Sequence, residues 1–183
     1  MTHHDPEQIR AFLGYLRRHK YPTLSARQIL ELRDCDEALN GAIGFTIDDG
    51  YLDQAEIAAP IFAEFDCPVT IFLCSGFLDR KVWMWWDRIE YVFDRAPCRD
   101  LGLDLDGEKL RLQWDAATGR SVKNAFVEHC KTLGVADRDR LIRELSFSAN
   151  IEVPETAPQE CAPMTWADAR RWESQAFTMQ LIR

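Results

Sequence analysis

Hydrophobic residues along this chain recur with two periods, and the alternation between them outlines a mixed fold. Between Pro6 and His19 the apolar positions Ile9, Phe12, Leu13 and Leu16 have helical spacing, with Asp5 placed as N-cap and Pro6 at the first helical position. Ser25 opens a second helix, and Gln28 three residues on completes a capping-box pattern ahead of Ile29, Leu30 and Leu32. A polar link through Asp34-Cys35-Asp36 and Asn40-Gly41 leads to Ala42-Ile43-Gly44-Phe45-Thr46-Ile47-Asp48-Asp49-Gly50-Tyr51. This stretch reads as a short buried strand that ends in two acids, a glycine that lets the chain turn away, and an aromatic residue.

Leu52 to Phe65 returns to helical spacing at Ile57, Ala58, Ile61, Phe62 and Phe65, with Pro60 expected to shift or kink its start. Pro68-Val69-Thr70-Ile71-Phe72-Leu73 is β-branched and apolar, a second buried strand. Strand, helix and strand within roughly thirty residues make a βαβ unit, which implies a parallel pair. Val82-Trp83-Met84-Trp85-Trp86-Asp87 leads into an amphipathic helix through Ile89, Val92 and Phe93. Leu101 to Leu112 alternates on both sides of Asp106-Gly107, a strong hairpin signal. Its acids resemble part of a calcium loop, but the remaining ligands of that pattern are absent, so the turn reading is preferred. Two helical patterns follow, Val122 to Leu133 and Arg138 to Leu145. A loop bearing Pro154, Pro158 and Pro163 ends at Met164-Thr165-Trp166, where Thr165 can cap a helix from Trp166 to Ser174, and Phe177 to Arg183 begins another strand.

Composition changes this picture little. The 183 residues, 46% hydrophobic and 28% charged, suit one domain with a substantial core and exclude a mainly disordered chain. A net charge of −8 argues against nucleic-acid binding, which needs clustered Lys and Arg; the one basic cluster, Arg17-Arg18-His19-Lys20, falls where a helix C-terminus favours cations. No apolar stretch is long enough to span a bilayer, and the N-terminus lacks the pattern of a secretory signal. Six scattered cysteines (Cys35, Cys67, Cys74, Cys98, Cys130, Cys161) show no Cys-x-x-Cys spacing, and free thiols in the cytoplasm are the expected state. Cys67 and Cys74 flank a strand and are expected as small core residues.

Candidate chemistry concentrates at Asp48 and Asp49. An Asp-Asp-Gly at a strand end can be a mere turn. Two adjacent acids at a buried strand end are nevertheless costly without a cation, because like charges raise one another's pKa. A divalent metal is the usual remedy, one carboxylate binding it and its neighbour acting as a base. Trp83, Trp85 and Trp86 offer flat faces for a sugar ring, or an aromatic cluster closing a core. Ser75 lacks the Gly-x-Ser-x-Gly context, and no nucleotide-binding motif occurs.

The run Thr46-Ile47-Asp48-Asp49-Gly50-Tyr51, then Ala59-Pro60-Ile61-Phe62, then Cys67-Pro68-Val69-Thr70-Ile71-Phe72-Leu73 and Ser75-Gly76-Phe77, resembles the first motif and following segment of the polysaccharide deacetylases, the NodB-homology (carbohydrate esterase 4) family. The family pattern is Thr-Phe-Asp-Asp-Gly-Tyr followed by Pro-x-Thr-x-Phe. Met164-Thr165-Trp166 and its helix are similar to the segment before the second motif, so the resemblance spans about 42–180. It implies an irregular (β/α) barrel and metal-dependent hydrolysis of N-acetyl groups on an amino-sugar carbohydrate. It also implies Asp48 as general base and Asp49 as ligand of a divalent metal, zinc first among candidates. The family site further needs a His-x-x-x-His pair, and His3, His4, His19 and His129 do not have that spacing.

The expected architecture is therefore α/β: an N-terminal helical extension at 1–41 and a partial deacetylase domain at 42–183, the N-terminal part of the barrel with an inserted hairpin and helices. The chain is expected to be a truncated form, inactive as given. Some relatives continue the last strand as Gln-Leu-His-Thr-His-x-His, and one lost base in codons for Leu-His-Thr-His yields the Leu181-Ile182-Arg183 seen here. The partner implied is a carbohydrate. The alternatives are a non-catalytic carbohydrate- or partner-binding protein of the same fold, and an unrelated α/β domain.

Overall fold

The structure, a computed structural model, describes residues 5–33, 39–96, 99–105, 108–174 and 178–182. Asp34-Cys35-Asp36, Cys98, the Asp106-Gly107 turn, Phe177, Arg183, His3 and His4 lie outside the described residues. Contacts divide the chain into two compact units, Met1–Val82 with Ala157–Arg183, and Trp83–Thr156.

The first unit is built on four parallel strands in the order β1 (Thr23–Leu24), β2 (Ile43–Asp49), β3 (Val69–Cys74) and β6 (Thr178–Ile182). Phe45 to Asp49 pair in register with Val69 to Leu73, and Thr70 to Cys74 pair with Thr178 to Ile182. The βαβ unit read from the sequence is thus present. β1 is an addition, two residues pairing with Ile43 and Gly44. Helix α1 (Pro6–Arg18) starts where Asp5 accepts a hydrogen bond from the Glu7 N–H at 2.9 Å, and it buries Leu13 and Leu16. Helix α2 (Ala26–Glu31) carries the full capping box, with Ser25 and Gln28 each bonding the other's backbone.

Pro60 acts as its lack of an N–H requires. A π-helical turn, Gln54–Ala58, precedes helix α3 (Ala59–Glu64), and the Ala59 N–H donates to the Gln54 carbonyl five residues back. That wider turn brings the chain to a proline that cannot join an ordinary α ladder.

β3 is buried along most of its length, but β2 is not the buried strand expected. Its residues alternate, Phe45 and Ile47 half-buried and Thr46 and Asp48 exposed. Phe45 and Ile47 pack on the core of Leu13, Phe62 and Ile71, whereas Thr46 and Asp48 project from the opposite face. At the N-terminal end of that second face, α2 approaches: the Ala26 N–H donates to Thr70 Oγ1 at 3.3 Å, and a Cβ on Gly44 would come within 2.6 Å of Ile29. Of the two cysteines beside β3, Cys67 is buried and Cys74 half-exposed.

α4 (Ser75–Leu78) follows β3, and α8 (Trp166–Glu173) starts at Thr165, which forms a capping box with Asp168. Trp172 anchors α8 by donating its indole N–H to the Ala55 carbonyl at 2.9 Å.

The second unit packs α5 (Trp85–Arg95), α6 (Gly119–Lys131) and α7 (Val135–Ala149) with a hairpin of β4 (Arg99–Leu105) and β5 (Glu108–Trp114). The hairpin runs two residues further at each end than its alternation predicted, from Arg99 opposite Trp114 to Leu105 opposite Glu108. Arg111 reaches back to Asp100 through two hydrogen bonds, and the Trp114 indole donates to the Ala96 carbonyl at 2.7 Å. Ile89, Leu103, Phe126, Leu141, Ile142 and Leu145 fill its core. Trp83 is buried edge-on to Tyr91, and Trp85 packs beside that core under the Arg138 guanidinium.

Candidate active site at the end of strand β2

The site begins where β2 can no longer continue. Asp49 at φ +80° and Gly50 at φ +92° both take left-handed backbone, which turns the chain off the sheet. Aspartate tolerates this region better than most residues. Glycine at position 50 has a second reason: an added Cβ would lie 2.8 Å from Leu78 Cδ1 and 2.9 Å from Leu73 Cδ2.

Gln54 clamps the turn. Its amide donates to the Asp48 carbonyl at 2.6 Å, and its oxygen accepts from the Gly50 N–H at 3.1 Å. The opposite side is held by residues far along the chain: the Met164 N–H donates to the Gly50 carbonyl at 2.9 Å, and the Leu52 N–H donates to the Ala162 carbonyl at 2.8 Å. Tyr51 and Pro163 form an antiparallel bridge there. The ring of Tyr51 meets Phe77 edge-on at 5.0 Å. The segments 46–51 and 164–166, each of which resembles a part of the family pattern, are thus neighbours in space. Gln54 and Ala162 carry no motif in the sequence; the only sequence signal for Gln54 is a long amide four residues beyond the glycine of a strand-ending turn.

Both acids sit at the C-terminal end of a central parallel strand, the end where such sheets place their ligands. They differ in surroundings. Asp48 is exposed, on the face of Thr46; Asp49 is half-buried and, with Phe45 and Ile47, lines a cavity of about 1040 Å³. Burial first, and then the charge of Asp48, raises the Asp49 carboxyl above the ordinary carboxylate range.

The described residues do not by themselves make a catalytic zinc site. Such a site takes three protein ligands, and among the described residues no group of three or more His, Cys, Asp and Glu side chains could hold a metal ion. His19 caps the end of α1 and rests on Tyr15 at 4.3 Å, and His129 lies exposed on α6 in the other unit. Burial raises the Cys67 thiol and pushes Cys130 up to about 11, which disfavours the nucleophilic thiolate at both.

No protein-family model matches the chain, and no curated protein matches it in sequence. Among solved structures, a de-N-acetylase from Aggregatibacter actinomycetemcomitans aligns over 99% of this chain and 87% of its own, at 12% identity and a TM-score of 0.39. The BpsB deacetylase domain from Bordetella bronchiseptica aligns over 94% of this chain and 83% of its own, at 12% identity and a TM-score of 0.32. Scores this low do not establish a common fold. Among the described residues no helix is long and apolar enough to cross a membrane.

Proposed function

We propose that β2 and its clamped turn are the strand-end half of a hydrolase site of the polysaccharide deacetylase kind, acting on an N-acetylated amino-sugar carbohydrate. The observation that carries this reading is the position of Asp48-Asp49-Gly50-Tyr51 at the C-terminal end of a central parallel strand, next to Met164-Thr165-Trp166. The strands lie side by side in chain order, which suits the first part of an irregular (β/α) barrel. Asp48, open to solvent, is the group to accept a proton from the water that cleaves the amide into acetate and free amine. Asp49 is the carboxylate offered to a divalent metal, for which the resemblance calls for histidines as the further ligands.

The test begins with the DNA after the codon for Arg183, read in all frames. A polypeptide carried through to a His-x-x-x-His pair is expected to release acetate from N-acetylglucosamine oligomers and to lose roughly a hundredfold or more of that rate on Asp48→Asn. Absence of any such pair, or full activity without Asp48, would overturn the proposal. A non-catalytic binding protein is the second reading, favoured by the divergence of the two carboxylates to different surroundings. Stoichiometric zinc in the longer polypeptide, lost on Asp49→Ala, would exclude it.

A further inference from the structure

Helix α1 carries a second stripe besides the one it buries. Asp5, Gln8, Phe12, Tyr15 and His19 follow one another at alternating spacings of three and four residues, which sets them on one face, and all five are exposed. Leu13 and Leu16 already anchor the helix to its own unit. Phe12 is nevertheless 50% exposed and Tyr15 44%. Ile57, 46% exposed, lines the same cavity as Phe12 and widens the open apolar strip beyond the helix.

Rings and charges are ordered along this face. Phe12 meets Phe45 edge-on at 6.1 Å, and Tyr15 packs on His19 at 4.3 Å and on Tyr21 at 6.3 Å. Asp5 and Glu7 stand at the first turn, Arg18 and Lys20 at the last, where Lys20 takes left-handed backbone at φ +57°. Neither Arg18 nor Lys20 has an ion pair with another described residue.

We propose that α1 is a dimerisation face, packing antiparallel on α1 of a second copy of this chain with the two-fold axis between Phe12 and Tyr15. In that register Phe12 of each copy meets Tyr15 of the other, Gln8 meets His19, and the acidic first turn lies against the basic last turn. The charges choose the occupant. A nucleic acid or an anionic membrane drawn to Arg18 and Lys20 would be repelled by Asp5 and Glu7 one helix length away, about 20 Å. A second copy, reversed, satisfies both ends at once and opposes the two helix dipoles. Four rings at the centre supply the aromatic anchors on which such interfaces depend. A helix pair of this length, with Ile57 at its rim, falls at the low end of specific interfaces, under roughly 1,200 Å² in total, so the dimer should exchange with monomer rather than be permanent.

The inference is independent of the deacetylase reading. Sedimentation velocity of the full chain, in a series from low micromolar to submillimolar concentration, should show a reversible dimer. Phe12→Glu should weaken it by roughly tenfold or more, and Asp5→Asn, which keeps the N-cap, by a few-fold, with circular dichroism confirming that each is folded. The register is tested with Phe12 and Tyr15 intact. Oxidising a mixture of Gln8→Cys and His19→Cys chains should give a mixed disulfide dimer. Gln8→Cys alone should give no more than the parent chain does, since its two copies lie about 16 Å apart and a disulfide needs Cα atoms within roughly 7 Å. A chain that stays monomeric throughout the series, a dimer unchanged in folded Phe12→Glu, or Gln8→Cys crosslinking alone as readily as in the mixture would overturn the proposal.

Discussion

The two units of this protein spend their hydrophobic residues differently. In residues 83–156 three helices and a hairpin converge on a filled core in which Ile89, Ile142 and Leu145 are fully buried. In the sheet unit β3 is equally well buried, but its neighbour β2 leaves Thr46 and Asp48 exposed, keeps Phe45 and Ile47 half-covered and borders a large cavity. The strand that carries the acids is the less completely packed of the two. That is the pattern expected where a protein reserves surface for a ligand rather than for its own stability.

The sharpest way to break this contrast is to empty both sites. Phe126→Ala in the second unit should cost about 3–5 kcal/mol, the usual loss for a fully buried phenylalanine. Phe45→Ala should cost well under that, and urea denaturation of the two variants measures the difference; equal losses would mean that β2 is as tightly packed as the helical core. Gly50→Ala comes next, at about 1–3 kcal/mol, because a side chain there meets both left-handed backbone and the methyl groups of Leu73 and Leu78.

Asp168→Ala should cost about 0.5–1 kcal/mol at neutral pH, since the box it closes with Thr165 is partly solvent-screened. Its hydrogen bond from Thr165 holds the Asp168 carboxyl below its ordinary range. A folded-state value lowered in this way contributes stability above the unfolded value and loses it as pH falls through the folded one. The gap between variant and parent should therefore narrow in acid below about pH 4, as pH-dependent thermal melts would show. The smallest effect belongs to Asp49→Asn. Removing a half-buried charge that repels its neighbour should leave the Tm unchanged or slightly raised, and a clear drop would mean that Asp49 supports the fold rather than burdens it.

Local signals were the most legible part of this fold. Asp5, Ser25 and Thr165 cap helices because each is a short polar side chain just before a helical stripe, and the alternation around Asp106-Gly107 defined a hairpin from sequence alone. The position of Asp48 and Asp49 at a strand end was legible for the same reason, an apolar run stopped by turn-forming residues. Their separation to different surroundings was also written in the chain, in the alternation of Phe45 and Ile47 with Thr46 and Asp48, but the apolar character of the run outweighed it and suggested full burial. Other features depend on distant partners. β1 is two residues long and exists only because Ile43 and Gly44 pair with it. The bonds from Met164 and Leu52 that fix the turn join segments with no common local pattern.

The pairing of β3 with β6 has a kinetic consequence. These strands are hydrogen-bonded neighbours, yet roughly a hundred residues, including the whole second unit, separate Cys74 from Thr178 along the chain. Closing so long a loop adds little to the equilibrium cost, because the entropy grows only logarithmically with length. It does raise the contact order of the sheet, and long-range parallel pairings form late. During refolding β3 should therefore spend time with one edge open, and that interval, more than the finished structure, should set how concentrated the protein can be while it folds.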